Sequence, residues 1–423
     1  MIQKFIEAGY EIVDFEQKAD VYIINTCTVT NMADRKSRQI LRRAKQINKE
    51  SVIVAVGCYA QTHKEEIEKI DEIDLILGNN EKNNIVQIVE KYYKDKTQKI
   101  QVENIDKQKE FLDFGTITYT EKTRAVIKVQ DGCNNFCSYC LIPYARGRVR
   151  SRSSKSVIEE ITNIAQRGIK EVVITGIHIA SYGKDFEEDY KLIDLLENIN
   201  KIEGLKRIRL GSLEPQIITE DFVKRLSKLD KICNHFHLSL QSGCTETLKR
   251  MNRKYTAEEF KQSANLLRKY FDNVALTADV IVGFPGETEK EFEETYEFLK
   301  KIKFTKIHVF KYSPREGTRA AAMPNQIDGN IKEERSKKLI ELSNADEEEF
   351  LDKQIGKNLK VLFEHKVDKY WIRTYFKLHR SRKTGRKLRK QTTRCIYNQK
   401  RGLKTYSTIK LLLQNCNKIV TEI

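Results

Sequence analysis

The sequence lacks long hydrophobic runs. Of its 423 residues, 39% are hydrophobic and 32% charged, and the longest apolar stretches, such as residues 52–57 and 280–282, have the length of a strand. A membrane-spanning helix needs about 18–20 apolar residues, so the sequence predicts no membrane span. The first residues also lack the hydrophobic region of a signal peptide, and we expect a cytoplasmic protein. The apolar content suffices for folded cores, which excludes a wholly disordered chain.

Cysteines are too few, and too unevenly spaced, for a disulfide framework. The chain has nine, and three of them lie within eight residues. In a cytosolic protein such clustering is typical of metal or redox chemistry. Cys233 and Cys244 flank a predicted strand and are interpreted as structural, and no role is assigned to Cys395 or Cys416.

Acidic residues are scarce in the last 57 residues. Sixteen Lys and Arg stand there against two Asp and Glu, so this segment carries +14 of the net charge of +17. A basic segment of this kind can bind a polyanion such as RNA. The alternative, which we favour, is a reading-frame shift near residues 366–371, where composition and periodicity change together.

The rest of the chain predicts two α/β units. Residues 1–95 alternate β-branched strands (21–25, 52–56 and 73–77) with amphipathic helices (34–47 and 84–92), which indicates a small, mainly parallel sheet. Residues 96–121 are polar and are predicted to be a linker. Residues 122–352 then contain six strand–helix units, and residues 353–423 form a small β end that is atypical and basic after about residue 367.

Six strand–helix units indicate a partial barrel of the (β/α)8 type. The predicted strands are residues 126–129, 171–175, 207–210, 235–240, 276–282 and 306–312. The predicted helices are residues 154–167, 190–200, 220–229, 257–269, 289–300 and 332–352. Because the active sites of such barrels gather at the carboxyl ends of the strands, the residues just after each strand are the candidates for function.

The strongest motif follows the first barrel strand. Cys133, Cys137 and Cys140 have the spacing CxxxCxxC, which fits one loop wrapped around an iron–sulfur cluster and leaves one iron free for a small molecule. The alternative is a structural zinc, which needs a fourth ligand, and the nearest His in the sequence is His178. Plain buried cysteines are a further alternative.

This triad resembles that of the radical S-adenosylmethionine superfamily. The resemblance implies a four-iron cluster on Cys133, Cys137 and Cys140 that binds S-adenosylmethionine and cleaves it to a radical. The other strand ends agree with a nucleoside-type ligand, although such residues often mark simple turns. The predicted contacts are Thr175, Gly176, Glu214, Ser239, Gln241 and Gly283.

Two further cysteines follow the first two strands of the leading unit. Cys27 stands in Asn25-Thr-Cys27-Thr-Val-Thr and Cys58 in Val56-Gly-Cys58-Tyr-Ala-Gln. Neighbouring parallel strands would bring these side chains together at one edge of the sheet. The alternative is that both are buried as small hydrophobic residues.

These features together resemble the methylthiotransferases, over residues 1 to about 366. The motifs around Cys27, Gly176-Ile-His178 with Ser181-Tyr-Gly183, and Ser212-Leu-Glu214-Pro are similar to the branch that acts on N6-threonylcarbamoyladenosine in tRNA. The resemblance implies a second four-iron cluster on Cys27 and Cys58, a small β-rich RNA-binding end domain of the TRAM type, and methylthiolation at C2 of the modified adenine at tRNA position 37. It also implies the anticodon loop of tRNA and an electron donor of the flavodoxin or ferredoxin type as partners. Arg146, Arg148 and Arg150 are predicted either to contact the RNA backbone or to form a solvated face.

The chain departs from that family at both ends. Members carry a third auxiliary cysteine before the first helix, whereas residues 1–9 already resemble that helix, so we expect a late-assigned start or impaired sulfur insertion. After Val361-Leu-Phe the expected strands give way to a basic run, at residues 380–390. Two other functions stay open: methylthiolation of another substrate, either isopentenyladenosine in tRNA or a ribosomal protein, and an inactive iron–sulfur RNA-binding remnant.

Overall fold

The computed structural model describes residues 1–96, 99–115, 124–355, 357–367, 370–375 and 407–410. It confirms the predicted fold class, a small parallel α/β unit followed by a half-barrel of parallel strands. Among the residues described, no helix combines the length and the apolarity needed to cross a membrane.

The leading unit is a four-stranded sheet with helices on both faces. Its strands lie in the order β1-β2-β3-β4, and the three adjacent pairs are parallel. The strands are β1 (Val21–Thr26), β2 (Val52–Gly57), β3 (Leu75–Leu77) and β4 (Ile100–Gln101). The helices are α1 (Ile2–Glu7), α2 (Asn31–Ile47), α3 (Cys58–Thr62), α4 (Lys64–Glu68) and α5 (Ile85–Asp95).

Alternation along β2 explains why both faces are covered. All six residues of β2 are buried. Ile53 and Ala55 pack with Leu41 of α2 on one face, and Val54 packs with Ile85 of α5 on the other. A strand that is buried on both faces has a continuous run of apolar residues in its sequence, and residues 52–57 show this pattern.

The predicted linker is partly wrong. Strand β4 falls inside residues 96–121 and pairs with β3, so the beginning of this segment belongs to the leading sheet. A strand of two residues carries no periodicity that a sequence pattern could reveal.

The second unit contains all six predicted barrel strands. Strands β5, β7 and β8 form one parallel group and β9, β10 and β11 another, with an isolated bridge between Leu213 and Leu238 near the junction. The strands are β5 (Arg124–Asp131), β6 (Arg150–Ser151), β7 (Glu171–Gly176), β8 (Arg207–Leu210), β9 (His235–Gln241), β10 (Ala275–Val282) and β11 (Lys306–Lys311). The helices are α6 (Ile142–Arg146), α7 (Ser154–Gln166), α8 (Leu192–Asn200), α9 (Glu220–Leu226), α10 (Thr245–Arg250), α11 (Ala257–Tyr270), α12 (Glu289–Ile302) and α13 (Gly329–Asp352).

Local capping explains why two of these helices begin where the sequence predicts. Thr256 and Thr288 each accept a backbone N–H three residues on, and Glu259 and Glu291 complete capping boxes. Such a pair satisfies two of the N–H groups that a helix start leaves without partners. Strand β6 and helix α10 were not predicted, since both are short.

The end of the chain contributes a small antiparallel sheet of β12 (Asn358–Val367), β13 (Tyr370–Tyr375) and β14 (Ser407–Lys410), with β12 in the centre. The basic run at residues 380–390, Cys395 and Cys416 lie outside the described residues. The hypothesis of a frame shift therefore stays a prediction.

A buried ion pair joins the two units. Arg315, in the segment after β11, is 3% exposed and donates to Thr28 Oγ1 at 2.6 Å and to the carboxylate of Asp34 on α2. Asn79 adds a second link, because its side chain donates to the carbonyl of Ala145 at 2.8 Å. These contacts hold the cysteine-bearing edge of the leading sheet against the half-barrel.

We expect Arg315→Ala to weaken this junction. Removing one partner of a buried ion pair costs about 3–5 kcal/mol, because the other charge stays desolvated. Urea unfolding should show a loss of this order. The matched control is Lys303→Ala, which removes an exposed pair with Glu349 and should change the free energy of unfolding by less than about 1 kcal/mol. Equal losses in the two variants would contradict the assignment.

Candidate active site

The loop with Cys133, Cys137 and Cys140 directly follows β5 and is held by a close backbone crossing. Gly132 has φ +73°, and a Cβ on it would collide with the carbonyl oxygen of Arg148. The N–H of Cys133 donates to the carbonyl of Gly147 at 3.0 Å. Only a glycine fits such a crossing, which explains the Gly before the first cysteine.

The opposite side of the loop is held by the segment after α10. Ser138 donates its backbone N–H to Met251 O at 3.0 Å and its hydroxyl to Arg250 O at 2.8 Å. Asn252 donates its side-chain amide to the carbonyl of Phe136 at 2.8 Å. The loop is therefore fixed from two directions, at Gly147 and at residues 250–252.

Each of the three sulfur atoms in the loop has one N–H donor. The backbone N–H of Asn135 points to Cys133 Sγ at 3.5 Å, that of Ile142 to Cys140 Sγ at 3.4 Å, and Arg253 Nη1 donates to Cys137 Sγ at 3.2 Å. Hydrogen bonds to sulfur are one of the means by which a protein tunes an iron–sulfur cluster. This donor set fits thiolates that carry negative charge.

Burial acts in the opposite direction. Desolvation raises the pKa of Cys133 to about 11 and that of Cys140 to about 12. Burial therefore favours the neutral thiol at these positions, and a bound metal cation would favour the thiolate. Within the described residues, no three His, Cys, Asp or Glu side chains form a group that could hold a single metal ion. The assignment of this loop to a cluster consequently rests on its spacing and on its N–H donors.

Arg253 connects the loop to a carboxylate at the mouth of the half-barrel. Besides Cys137, it contacts Glu214 at 2.6 Å, and Glu214 lies 3.3 Å from His178 Nε2. Burial raises the pKa of Glu214, but His178 and Arg253 outweigh it and the pKa is lowered overall. Glu214 is 6% exposed. Glu214 thus lies at the mouth of the half-barrel, as predicted for its carboxylate, and it holds Arg253 in place.

The other predicted contact residues lie where β7, β9 and β10 end. Gly176 pairs with Gln130 of β5, and a Cβ on Gly176 would lie 2.9 Å from the Gln130 carbonyl oxygen. Thr175 precedes it on β7. The carbonyl of Ser239 accepts from Arg253 at 3.5 Å. Gln241 has φ +70°, a conformation rare for residues other than glycine and frequent at functional sites.

The contacts that position Gly283 are with residues outside the cysteine loop. Its N–H donates to Glu287 at 2.7 Å, and the side chain of Lys332 fills the space beside its Cα. Glu214 and Ser239 thus connect directly to the loop or to Arg253, and Gly176 connects to β5 below the loop. The role of all six predicted contact residues in binding S-adenosylmethionine stays a prediction.

The second pair of cysteines follows two paired strands. Thr26 and Gly57 are partners in the register of β1 and β2, so Cys27 and Cys58 occupy corresponding positions at one edge of the sheet. Gly57 has φ +113°, and a Cβ there would lie 2.5 Å from Thr26 O. Cys27 is exposed and Cys58 half-buried, which disfavours the interpretation of both as core residues.

A group of cations lies between the two cysteine sites. Arg146 Nε donates to Cys58 Sγ at 3.2 Å, and Arg146 Nη1 lies 3.6 Å from Asp131, two residues before Cys133. Lys128 and Arg150 also contact Asp131. Although burial raises the pKa of Asp131, these cations lower it overall. Burial, with the neighbouring Arg146, lowers the pKa of Lys82 to about 8.

The sequence predicted Arg146, Arg148 and Arg150 either as RNA-backbone contacts or as a solvated face. The side chains of Arg146 and Arg150 are only 19% and 3% exposed and are engaged inside the protein. Arg148 is 57% exposed and lies over the ring of Phe136, with 4.7 Å from Cζ to the ring centre. Only Arg148 of the three is accessible to a large ligand.

Sequence reasoning missed Arg253 and the internal role of Arg146. Both lie outside the strand ends that barrel topology singles out. The available signals were the dense basic segment Lys249-Arg-Met-Asn-Arg253-Lys and the Arg-Gly pair at residues 146–147. Neither pattern indicates which sulfur atom its arginine contacts.

Comparisons with known proteins show which families and relatives this chain resembles. Residues 127–299 match the Radical SAM superfamily, and residues 1–78 match the family described as uncharacterized protein family UPF0004. The chain is 46% identical over 361 residues to threonylcarbamoyladenosine tRNA methylthiotransferase MtaB of Bacillus subtilis (strain 168), which covers 85% of this chain and 80% of the relative.

Two more relatives and one solved structure extend the comparison. The protein of the same name from Aquifex aeolicus (strain VF5) is 44% identical, covering 85% of this chain and 87% of the relative. The tRNA-2-methylthio-N(6)-dimethylallyladenosine synthase of Clostridium novyi (strain NT) is 35% identical, covering 84% and 80%. The radical S-adenosylmethionine methyltransferase TsrM from Kitasatospora setae has a TM-score of 0.57 at 16% identity, covering 73% and 67%. That similarity extends to the fold alone.

Replacing Glu214 tests the hydrogen-bonded group at the mouth. We expect Glu214→Gln to destabilise the chain at pH 7, since Arg253 loses a buried charged partner. Because the folded-state pKa is lowered, the carboxylate stabilises the fold fully above its ordinary value of 4.5 and loses this effect as the pH falls through the lowered value. The difference between the variant and the wild type in urea unfolding should therefore shrink below about pH 4.5. A difference that is constant from pH 7 to pH 3.5 would contradict this role.

Proposed function

The chain belongs to the radical S-adenosylmethionine methylthiotransferases, and we propose that it attaches a methylthio group to C2 of N6-threonylcarbamoyladenosine in tRNA. The observation that carries this proposal is the 46% identity, over 85% of the chain, to a relative named for that reaction. Relatives named for dimethylallyladenosine are less similar, at 35–36% identity over comparable lengths. The difference favours the threonylcarbamoyl branch over the isopentenyl one.

In this proposal Cys133, Cys137 and Cys140 hold the cluster that binds S-adenosylmethionine. The chemistry that such a cluster supplies is one-electron cleavage of the sulfonium, which provides a radical able to abstract hydrogen. The chain itself contributes the N–H donors to the three sulfurs and the Gly132 crossing that orients the loop. Arg253 and Glu214 form a buried support that fixes the donor to Cys137.

In this proposal Cys27 and Cys58 are two of the ligands of the second cluster, which supplies the sulfur atom to be transferred. Its support is their matching position after β1 and β2 and the accessibility of Cys27. Arg146 approaches Cys58 from the half-barrel, so the two cysteine sites lie on facing parts of the two units.

The anticodon loop is the proposed region of tRNA, because its unstacked bases can be inserted into a protein site. At the cysteine loop, the exposed Arg148 and Tyr144 and the half-buried Phe136 form a patch, which we call the aromatic patch. The rings of Phe136 and Tyr144 meet edge to face at 5.8 Å, and Tyr144 is 53% exposed. Aromatic rings and an Arg are the groups on which single-stranded bases stack.

The cleft that Tyr144 also lines, and that Arg148 does not line, suits the RNA backbone less well. It has a volume of about 540 Å³ and lies between the leading unit and the half-barrel. Three of its lining residues are the acidic Glu65, Glu66 and Glu316, which would repel phosphates. We therefore assign the RNA backbone to the side of Arg148. An electron donor of the flavodoxin or ferredoxin type and a cytoplasmic location complete the proposal.

The triple variant Cys133→Ala, Cys137→Ala, Cys140→Ala tests the reaction. Supplied to a strain that lacks this gene, the wild-type chain should restore 2-methylthio-N6-threonylcarbamoyladenosine in hydrolysed tRNA, and the triple variant should restore none. Mass spectrometry of the nucleosides provides the measurement. The control is Cys244→Ala, a buried cysteine outside the site, which should retain the product. Product from the triple variant, or none from the wild type, would refute the proposed function.

The aromatic patch makes a separate prediction about binding. A stacked base is worth about 1–3 kcal/mol, so Tyr144→Ala should weaken binding of an anticodon stem-loop by roughly 5- to 150-fold. Tyr144→Phe, which keeps the ring, should bind nearly as the wild type does. Arg148→Met should reduce the slope of log affinity against log salt by roughly 0.7. Tyr93→Ala, on an exposed face of α5, is the control, and an equal effect there would contradict the assignment.

A further inference from the structure

We infer that Arg146 is a positioning residue that ties the auxiliary cysteine site of the leading unit to the radical loop of the half-barrel. The inference rests on the proposed function, since it concerns the sulfur ligands of that reaction. It goes beyond that function because it assigns a role to a side chain that is not itself a ligand.

The first observation is a direct contact across the two units. Arg146 Nε donates to Cys58 Sγ at 3.2 Å, although the residues are 88 positions apart. The Arg146 side chain is 19% exposed. Helix α6, which carries Arg146, packs on α3, which begins at Cys58. The contact is thus formed by two packed helix ends rather than by a mobile surface side chain.

The second observation is that the same segment holds the radical loop. Gly147, the next residue, accepts the backbone N–H of Cys133 at 3.0 Å. Arg146 itself lies 3.6 Å from Asp131, at the end of the strand that leads into this loop. A shift of residues 146–147 would therefore move groups at both cysteine sites.

The third observation concerns charge. The carboxylate of Asp131 is shared by Lys128, Arg146 and Arg150, so these three cations exceed the one negative charge that they share. Lys82, 8% exposed, adds another cation near Cys58 and donates to Asn25 Oδ1 at 3.1 Å. Buried cations are costly unless negative charge lies beside them. A thiolate at Cys58, or a cluster bound through it, supplies that charge where Arg146 points.

Two physical consequences follow for a cluster bound through Cys58. A hydrogen bond to a ligand sulfur and a nearby positive charge both favour the more reduced, more negative state. Groups that orient metal ligands from outside commonly affect metal affinity by about 10- to 100-fold when they are removed. Arg146 should thus raise both the iron affinity and the reduction potential of the auxiliary site.

The test uses the full chain with Cys133, Cys137 and Cys140 replaced by Ala, so that any bound cluster is the auxiliary one. In this parent we would introduce Arg146→Met, Arg146→Lys and, as a matched control, Arg42→Met on the exposed face of α2. Each protein is reconstituted anaerobically with iron and sulfide. Iron bound per chain is measured against iron concentration, and the midpoint potential is followed by electron paramagnetic resonance.

We expect Arg146→Met to lower the iron affinity about 10- to 100-fold and to lower the midpoint potential. Arg146→Lys keeps the charge but loses the planar donor, so its iron affinity and midpoint potential should lie between those of Arg146→Met and those of the parent. Arg42→Met should equal the parent. Parental affinity and potential in Arg146→Met would overturn the inference, and so would a parent that binds no more iron than the same protein lacking Cys27 and Cys58.

Folding and the main reaction are controlled separately. Circular dichroism and elution volume show whether each variant is folded, and a folded Arg146→Lys keeps the comparison decisive if Met unfolds the chain. In the otherwise intact chain, Arg146→Met should lower the methylthio product more than it lowers the release of 5′-deoxyadenosine from S-adenosylmethionine, because Cys58 loses a direct hydrogen bond whereas the radical loop loses only a contact at Asp131. Parental levels of both products would overturn the inference. A wild type that forms no product refutes the proposed function, whereas the iron comparison still decides the role of Arg146.

Discussion

A sulfur atom that carries negative charge away from bulk water needs hydrogen-bond donors or cations next to it. Much of the architecture around the two cysteine sites meets this requirement. Backbone N–H groups reach Cys133 and Cys140, and arginines reach Cys137 and Cys58. The arginines must themselves be held, which gives Glu214 and Asp131 their buried positions. The carboxylates near the cysteines are therefore explained as supports for cations, and the assignment of Glu214 to ligand binding stays a prediction.

The parts of the fold that follow from local pattern could be predicted from the sequence. All six strands of the half-barrel were found, and the strand at residues 207–210 has the predicted bounds, since strand periodicity and the intervening helices repeat along the chain. The cysteine motifs could also be recognised, because each lies within a short stretch of sequence. Strand β4 was missed because two residues carry no period.

The contacts that complete the site could not be predicted in this way. Arg253 lies 116 residues from Cys137, and Arg146 lies 88 residues from Cys58. Such pairings depend on the curvature of the half-barrel and on how the leading unit packs against it. Neither can be predicted from the spacing of residues in the sequence. The same limit explains why Arg146 and Arg150 were grouped with Arg148, although they are buried and Arg148 is exposed. Residues two apart share a face only in a regular strand, whereas Arg146 ends helix α6 and Arg150 lies in β6, so the three side chains have different surroundings.

The crossing at Gly132 has a consequence for protein engineering. Because the backbone at Arg148 occupies the space where a side chain of residue 132 would stand, the loop owes its shape to a strand return that lies well beyond the third cysteine. A portable unit accordingly needs more than the eight residues from Cys133 to Cys140: it needs the whole excursion from the end of β5 to β6 and the segment at residues 250–252 that holds the other side of the loop. A transplant that copies only the cysteines into another scaffold omits the backbone at Arg148, against which the loop packs.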